Sequence, residues 1–196
     1  MRARPAAGSL VLCFGNPARQ DDGIGPGIAD RLEALALAEV ALAEVAVESS
    51  YQLCVEDALA VAESELVVFV DAAAEGEEPY SFERVVPRPG LDYTTHSLRP
   101  AQVLGLAEEI FGRSPESHLL AIRGYSFDMF EEGLTEKARV NLEAASEFLA
   151  DFLRRSARTA RRTAKAEAAG PCRSRLPGRE REHASADGEN AQGGAE

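Results

Sequence analysis

Two adjacent carboxylates, Asp21 and Asp22, lie in a glycine-rich segment, CFGNPARQDDGIGPGIADRL, that follows an apolar run. Glycines between a predicted strand and a predicted helix are typical of loops that bind the phosphates of nucleotides. This segment fits neither common phosphate-binding pattern, contains no lysine, and carries two negative charges that would repel a phosphate. The residue types therefore favour a metal cation over a phosphate as the ligand.

A third carboxylate and an imidazole come from two other segments. Asp71 ends the apolar run LVVFVDAA, and His96 lies in DYTTHSLRPAQVL, just before a predicted helix. In an open α/β sheet the binding crevice lies beyond the carboxyl ends of the strands, so one of the paired acids, Asp71 and His96 are expected to converge there. Oxygen and nitrogen donors without a thiolate suit zinc, nickel or manganese, and three protein ligands leave coordination positions open.

Each of these residues also has an ordinary structural interpretation. Asp21 is well placed to cap the helix that follows it, because a carboxylate stabilises a helix N-terminus. Asp71 is similarly placed to cap the loop after its strand, and His96 to be a loop residue without a special role. The functional interpretation depends on the convergence of the three segments.

Buried strands alternate with amphipathic helices along the chain, which predicts a three-layer αβα fold of the α/β class. The expected sheet is twisted and mainly parallel, with about five strands and an edge strand or hairpin at Tyr80–Pro87. Strands are predicted at Ser9–Phe14, Glu44–Glu48, Leu66–Ala73 and His118–Tyr125. Helices are predicted after the glycine-rich segment and at Tyr51–Glu65, Arg99–Gly112 and Leu134–Leu153, the last with Thr135 as its N-cap.

Charge divides the 196-residue chain into two parts. The formal net charge is -12, yet residues 154–196 are basic, and the acidic residues are concentrated in residues 1–153. An acidic body argues against a general nucleic-acid binder. We therefore predict one domain over residues 1–153. Residues 154–196 have few large apolar side chains, so we expect an Arg/Ala-rich tail that is disordered or a frayed extension of the last helix.

The cysteines and the N-terminus indicate a cellular compartment. The chain has three cysteines, Cys13, Cys54 and Cys172. An odd number of cysteines without a CxxC pair is typical of a reduced intracellular protein. The first apolar run is too short for a signal peptide or a membrane span, so a cytoplasmic protein without a membrane partner is expected. No G-x-S-x-G motif is present, and Cys13 lies inside a predicted strand, so a serine or cysteine hydrolase is disfavoured.

Four segments together resemble the hydrogenase maturation endopeptidases. GNPARQDDGIGP resembles their N-terminal signature, and LVVFVDAA resembles their strand that ends in an aspartate. THSLRPAQVLGLAEEIFG is similar to their histidine segment before a helix, and LLAIRGYSFDMFEEGLTEKARVNLEAA to their last strand, loop and final helix. The resemblance covers residues 9–153, with the segments in the same order and at similar spacing.

The resemblance implies an aspartyl-type endopeptidase that removes a short C-terminal peptide from the large subunit of a [NiFe] hydrogenase during maturation. It implies that Asp22, Asp71 and His96 recognise the nickel that the precursor already carries, and that the same residues are catalytic. Some members have glutamate at the position of Asp22. Aspartate supplies the same carboxylate donor here, on a side chain that is one methylene shorter. Nickel then arrives with the substrate, and the resting protein need not hold a metal.

The implied partner is the hydrogenase large-subunit precursor, and we expect a monomer. The family implies no serine, cysteine or threonine nucleophile, which leaves a carboxylate as the general base. Asn16 and Gln20 are candidates either for orienting the substrate peptide or for stabilising the turn. Two alternatives stay open: a non-proteolytic, chaperone-like metal-binding relative, and a nucleotide-binding α/β protein.

Overall fold

The computed structural model describes residues 8–39, 42–88, 90 and 98–168. The strands are β1 (Ser9–Phe14), β2 (Ala46–Ser50), β3 (Leu66–Ala73), β4 (Tyr80–Arg84) and β5 (Glu116–Arg123). The α-helices are α1 (Ile24–Ala38), α2 (Asp57–Ala62), α3 (Pro100–Phe111) and α4 (Glu136–Ala168), and a short 3-10 helix at Gln20–Gly23 precedes α1.

The five strands form one sheet in the order β2-β1-β3-β5-β4. All neighbouring pairs are parallel except β4 with β5, so β4 is the antiparallel edge strand that the alternating sequence predicted. Cys13 is in register with Val70, and Asp71 with Ala121. The predicted three-layer α/β fold is confirmed.

Alternate residues of each central strand face opposite layers of helices. Val11 of β1 and Val68 of β3 lie in one buried cluster with residues of α1 and α4. Leu10 and Val67, one position earlier, lie in a second cluster with residues of α2 and α3. The central strands are therefore apolar on both faces, which explains the uninterrupted apolar runs in the sequence.

Two predicted elements have different bounds in the structure. The helix expected at Tyr51–Glu65 is reduced to Asp57–Ala62, because the preceding residues form a turn in which the Cys54 N–H donates to the Asp57 carboxylate at 2.8 Å. The predicted strand Glu44–Glu48 lies two residues later, as β2, because a turn closes with the Val45 N–H bonded to the Leu42 carbonyl.

The sequence predicted that the last helix ends at Leu153. In the structure, α4 continues to Ala168. The extension is fixed to the segment after α1 by charged pairs. The Arg154 guanidinium donates to both carboxylate oxygens of Glu39 at 2.9 Å, and Arg161 lies 3.3 Å from Glu44. Residues 154–168 are thus helical, while 169–196 lie outside the described residues. Among the helices described, none is both long and apolar enough to cross a membrane.

A candidate active site at the carboxyl edge of the sheet

The carboxyl ends of three parallel strands meet at one edge of the sheet, where the candidate residues were expected. Asp71 lies near the end of β3, between β1 and β5. Asp22 lies in the 3-10 helix that follows β1. The topology therefore brings the two carboxylates to the same edge, as the strand-end rule predicted.

The turn that carries Asp22 is closed by the Asp22 side chain itself. The Asn16 N–H donates to Asp22 Oδ2 at 3.0 Å, and the Ala18 N–H donates to Asn16 Oδ1 at the same distance. Gly15 has a φ of 143°, and a Cβ there would lie 2.1 Å from the Asp22 carbonyl oxygen. Only glycine fits this position, because both the backbone angle and the close approach exclude a side chain.

Asp71 is a carboxyl group with an altered acidity. Burial raises its pKa, the hydrogen bond from the Ala72 N–H lowers it, and the negative charge of Asp22 raises it, to a pKa of about 7. The Ala72 N–H donates to Asp71 Oδ1 at 2.8 Å. Asp71 therefore changes its protonation state near neutral pH, which an exposed aspartate does not do.

Asp21, the first acid of the pair, is fully buried and has a different role from the one predicted. It does not cap α1, whose N-cap is Gly23 without a side-chain hydrogen bond. Instead it accepts hydrogen bonds from the N–H groups of Tyr125, Ser126 and Thr135 and from the Thr135 hydroxyl, at 2.7–3.1 Å.

These bonds determine the charge state of Asp21. Burial raises the pKa of its carboxyl, but the hydrogen bonds from Thr135, Tyr125 and Ser126 outweigh burial and hold the pKa below its usual value. Thr135 in turn caps α4, because its Oγ1 accepts from the Ala138 N–H at 3.3 Å, as the sequence predicted. Asp21 thus fixes the loop before α4, and Asp22 is left as the acid at the sheet edge.

Backbone hydrogen bonds join the turn after β1 to the loop after β5. The Gln20 N–H donates to the Glu131 carbonyl, the Phe130 N–H donates to the Ala18 carbonyl, and Arg19 forms a parallel bridge with Glu131. Gln20 and Phe130 both have positive φ angles, of 52° and 66°. The Asp22 turn is therefore held by a second segment as well as by its own hydrogen bonds.

His96 lies outside the described residues, so its predicted place beside the carboxylates stays a prediction. The described residues on either side of its segment are bonded to α3. The Arg88 N–H donates to the Ala101 carbonyl at 2.8 Å, and the Arg99 N–H donates to Gln102 Oε1 at 2.9 Å. The C-terminus of α3 leads into the start of β5, so its N-terminus is directed toward the carboxyl edge. His118, by contrast, lies in the amino-terminal half of β5 and pairs with Glu116.

Within the described part of the chain, no three histidine, cysteine or acidic side chains are grouped closely enough to hold a metal ion. Two of the three predicted ligands, Asp22 and Asp71, belong to that part, and they do lie near each other. The Cys13 thiol is buried. Burial, and to a smaller extent the negative charge of Asp30, raises its pKa far above the usual range. A neutral buried thiol is no nucleophile, as expected for a residue inside a strand.

Sequence reasoning missed two features at this edge: the Asp21–Thr135 connection and the position of Arg123. Arg123 is the last residue of β5 and is in register with Ala73 of β3. The strand-end rule that selected Asp71 also applies to β5, so the same signal would have selected Arg123. No local signal marks the Asp21 contacts, because their partners lie more than 100 residues away.

Solved structures similar to this chain include several hydrogenase maturation proteases. The [NiFe] hydrogenase maturation protease HycI from Thermococcus kodakarensis KOD1 is 26% identical, with a TM-score of 0.57 over 74% of this chain and 92% of its own. The hydrogenase maturating endopeptidase HybD from E. coli is 22% identical, with a TM-score of 0.57 over 76% and 93%. The hydrogenase 2 maturation peptidase from Thaumarchaeota archaeon SCGC_AB-539-E09 is 23% identical, with a TM-score of 0.53 over 74% and 97%.

The resemblance drawn from the four sequence segments is confirmed by these structures, and the two below 25% identity support the fold alone. No family model matches the sequence, and no curated protein matches it either.

Proposed function

We propose that this chain is a peptidase that removes a C-terminal peptide from the nickel-loaded large subunit of a [NiFe] hydrogenase. The observation that carries the proposal is the pairing of Asp22 with Asp71 at the carboxyl edge of a sheet that solved maturation proteases share. A structural aspartate is ordinarily paired with donors, as Asp21 is. Asp71 is instead placed where burial and a second carboxylate disfavour its charge, which is typical of functional sites.

Recognition of the precursor's nickel is assigned to Asp22, Asp71 and His96. Two carboxylates supply oxygen donors and the imidazole supplies nitrogen, a donor set that suits nickel. A divalent cation between Asp22 and Asp71 would relieve their mutual repulsion, so the pair is energetically prepared for a metal that arrives with the substrate. The described residues on either side of the His96 segment, Arg88 and Arg99, are both bonded to the first turn of α3.

Cleavage is assigned to water activated by a carboxylate. The ionised carboxylate takes a proton from a water molecule, whose oxygen attacks the carbonyl carbon of the scissile peptide bond. The C–N bond then breaks, and the proton passes to the leaving amine. Asp22 and Asp71 are the two candidate bases, each through a carboxylate oxygen that is not bound to the metal. The bound nickel fixes the position of the scissile bond.

The test is incubation of the protein with a nickel-loaded large-subunit precursor, followed by mass measurement of the precursor. Loss of a C-terminal peptide supports the proposal. Asp22→Ala and His96→Ala are expected to abolish the loss. The melting temperature should change little in His96→Ala and fall slightly in Asp22→Ala, which loses the hydrogen bond from the Asn16 N–H. Asp128→Ala is the control on an exposed carboxylate. Binding without any mass loss identifies the non-proteolytic relative. Tight nucleotide binding that Asp22→Ala leaves unchanged overturns the proposal in favour of a nucleotide-binding protein.

We also infer a cytoplasmic monomer. Cys13 and Cys54 are free thiols, as expected of a reducing compartment. Sedimentation of the purified chain with and without precursor measures the oligomeric state, and a stable dimer would contradict this inference.

A further inference from the structure

Two cations contact one aromatic ring where β5 ends and α4 begins. The Arg123 guanidinium lies 5.5 Å from the centre of the Tyr125 ring, and Lys137 Nζ lies 5.2 Å from it. Arg123 is the last residue of β5, and Lys137 belongs to the first turn of α4. Tyr125 is thus the common base of a two-cation cluster, which we call the Arg123–Lys137 cluster.

A buried amide fixes this cluster in place. Asn141 is 6% exposed, and its Nδ2 donates to the Arg123 carbonyl at 2.9 Å and to the Tyr125 hydroxyl oxygen at 3.0 Å. The Arg123 N–H donates to the Pro79 carbonyl at 3.1 Å. The backbone of Arg123 and the ring of Tyr125 are therefore both held from inside the protein, so the cluster is prearranged.

The described residues supply no anion to the cluster. Arg123 Nη1 is buried and has no hydrogen-bond partner among the described residues. Neither Arg123 nor Lys137 forms an ion pair with any carboxylate in the part of the chain that the structure describes. This is unusual in a chain with a formal net charge of -12. The aromatic ring offsets the repulsion of two cations only in part, and a guanidinium with an unused hydrogen-bond donor is suited to bind a carboxylate.

The Arg123–Lys137 cluster adjoins the proposed active site. Arg123 is in register with Ala73, two residues beyond Asp71 on the neighbouring strand. Asp21, adjacent to Asp22, holds the N–H groups of Tyr125 and Thr135, which flank the loop between the two cations. A peptide bound at the carboxylates therefore lies beside the cluster.

We propose that the Arg123–Lys137 cluster is a carboxylate-binding site that receives the C-terminal peptide of the precursor. This inference rests on the proposed function, since it names a feature of that substrate. The recognised group is a carboxylate, which the peptide can supply as its terminal α-carboxylate or as an acidic side chain. The cluster has a separate role from Asp22 and Asp71: it holds the part of the peptide that leaves, and it does not take part in the bond cleavage.

The kinetic test compares Arg123→Gln and Lys137→Gln with Arg158→Gln, which removes an exposed cation from the distal part of α4. Loss of a charge-assisted hydrogen bond is expected to raise KM about 10- to 100-fold with kcat nearly unchanged. Arg158→Gln is expected to match the wild type. Lys137 is exposed, so its substitution reports on binding even where Arg123→Gln disturbs folding. Unchanged KM in Lys137→Gln and in a folded Arg123→Gln overturns the proposal.

Two altered precursors identify the source of the carboxylate. One carries a C-terminal amide, and the other carries amides in place of the acidic side chains of the released peptide. The precursor in which the recognised carboxylate is amidated is expected to bind the wild type more weakly, and Arg123→Gln is expected to cause no further loss of affinity for it. If amidation weakens binding to Arg123→Gln as much as binding to the wild type for both precursors, the cluster does not bind a carboxylate of the peptide, and the proposal is overturned.

A titration without precursor separates this proposal from the proposed function. N-acetylglycine is added to the ¹⁵N-arginine-labelled protein at constant ionic strength, and the Arg123 Nε–H resonance is identified by its absence in Arg123→Gln. A saturable shift with N-acetylglycine and none with N-acetylglycinamide supports the site even if no precursor is cleaved. The absence of a shift, with processing intact, overturns the site and leaves the peptidase proposal standing.

Discussion

Asp22 and Asp71 are coupled across the carboxyl edge of the sheet. Burial and the negative charge of Asp22 raise the pKa of Asp71, the Ala72 N–H lowers it, and the resulting pKa is about 7. The neighbouring Asp21 shows the opposite behaviour, because four hydrogen bonds keep it ionised. The surroundings of Asp71 and Asp21 thus shift their pKa values in opposite directions, and each shift leads to a separate measurement.

Processing is expected to depend on pH through Asp71. A protonated carboxyl group does not bind a cation, so affinity for the nickel-loaded precursor should fall as pH decreases through about 7. Binding measured over a range from about pH 6 to 8 should approach a tenfold loss per pH unit at the acidic end. Asp71→Asn should bind weakly at every pH, and a wild-type profile in this variant would contradict the assignment.

Asp71→Asn is expected to stabilise the protein above neutral pH. The folded-state pKa is raised from 3.8 to about 7, so the ionised form is disfavoured by folding. This cost is absent below about pH 4, grows as pH rises, and is complete above about pH 7. Removing it should raise the free energy of unfolding by about 1–3 kcal/mol at alkaline pH, as measured by urea denaturation. Asp30→Asn, at an exposed position on α1, is the control and should show no such gain.

Asp21→Asn is expected to destabilise the fold. An amide cannot accept all four hydrogen bonds, since its NH2 group would face N–H donors, and a loss of about 2–4 kcal/mol is expected. The folded-state pKa of Asp21 is lowered, so its contribution is present above pH 3.8 and is lost as pH falls through the folded-state value. Denaturation of wild type and variant should therefore differ at neutral pH and converge in acid. A neutral effect at pH 7 would contradict this role.

Gly15→Ala is expected to displace the Asp22 turn. The new Cβ would lie 2.1 Å from the Asp22 carbonyl oxygen, at a φ of 143°. A destabilisation of about 2 kcal/mol or more is expected from the clash and the backbone strain, together with loss of processing. Gly76→Ala is the matched control, since Gly76 also has a positive φ, of 115°, but has open space around it. Equal losses in both variants would show that strain alone, and not the contact with Asp22, is responsible.

Two truncations distinguish the extension of α4 from the residues after it. Deleting 169–196 is expected to leave the melting temperature unchanged. Deleting 154–196 also removes the contacts of Arg154 with Glu39 and of Arg161 with Glu44, so a lower melting temperature is expected. Arg154→Ala in the full chain should reproduce part of that decrease. If both truncations melt alike, the extension contributes nothing to stability.

Elements with strong local patterns were predicted well from the sequence. β3 has the predicted bounds, since its β-branched run is buried on both faces and ends where Asp71 meets the crevice. α3 also has nearly its predicted bounds, because Gly112 ends it with a φ of 65°. Apolar periodicity and terminating residues determine these elements locally, so a single sequence is sufficient to identify them.

Features that depend on distant partners were not predictable in this way. The partners of Asp21 lie more than 100 residues away, and a local argument assigned it to the cap of α1. The extension of α4 depends on Glu39 and Glu44, whose positions follow from the packing of α1 against α4. Composition left two possibilities open from residue 154, a disordered tail or a frayed extension of the last helix, because composition carries no information about specific ion pairs.

The backbone bridge between Arg19 and Glu131 has a consequence for the motions of the site. With Gln20 and Phe130 bonded across the same junction, the two segments can open only together, as one cooperative unit. The amide protons of Gln20 and Phe130 should then have similar protection factors against hydrogen exchange, although 110 residues separate them in the chain. A precursor that orders one of these segments would slow exchange in the other, even where it makes no contact.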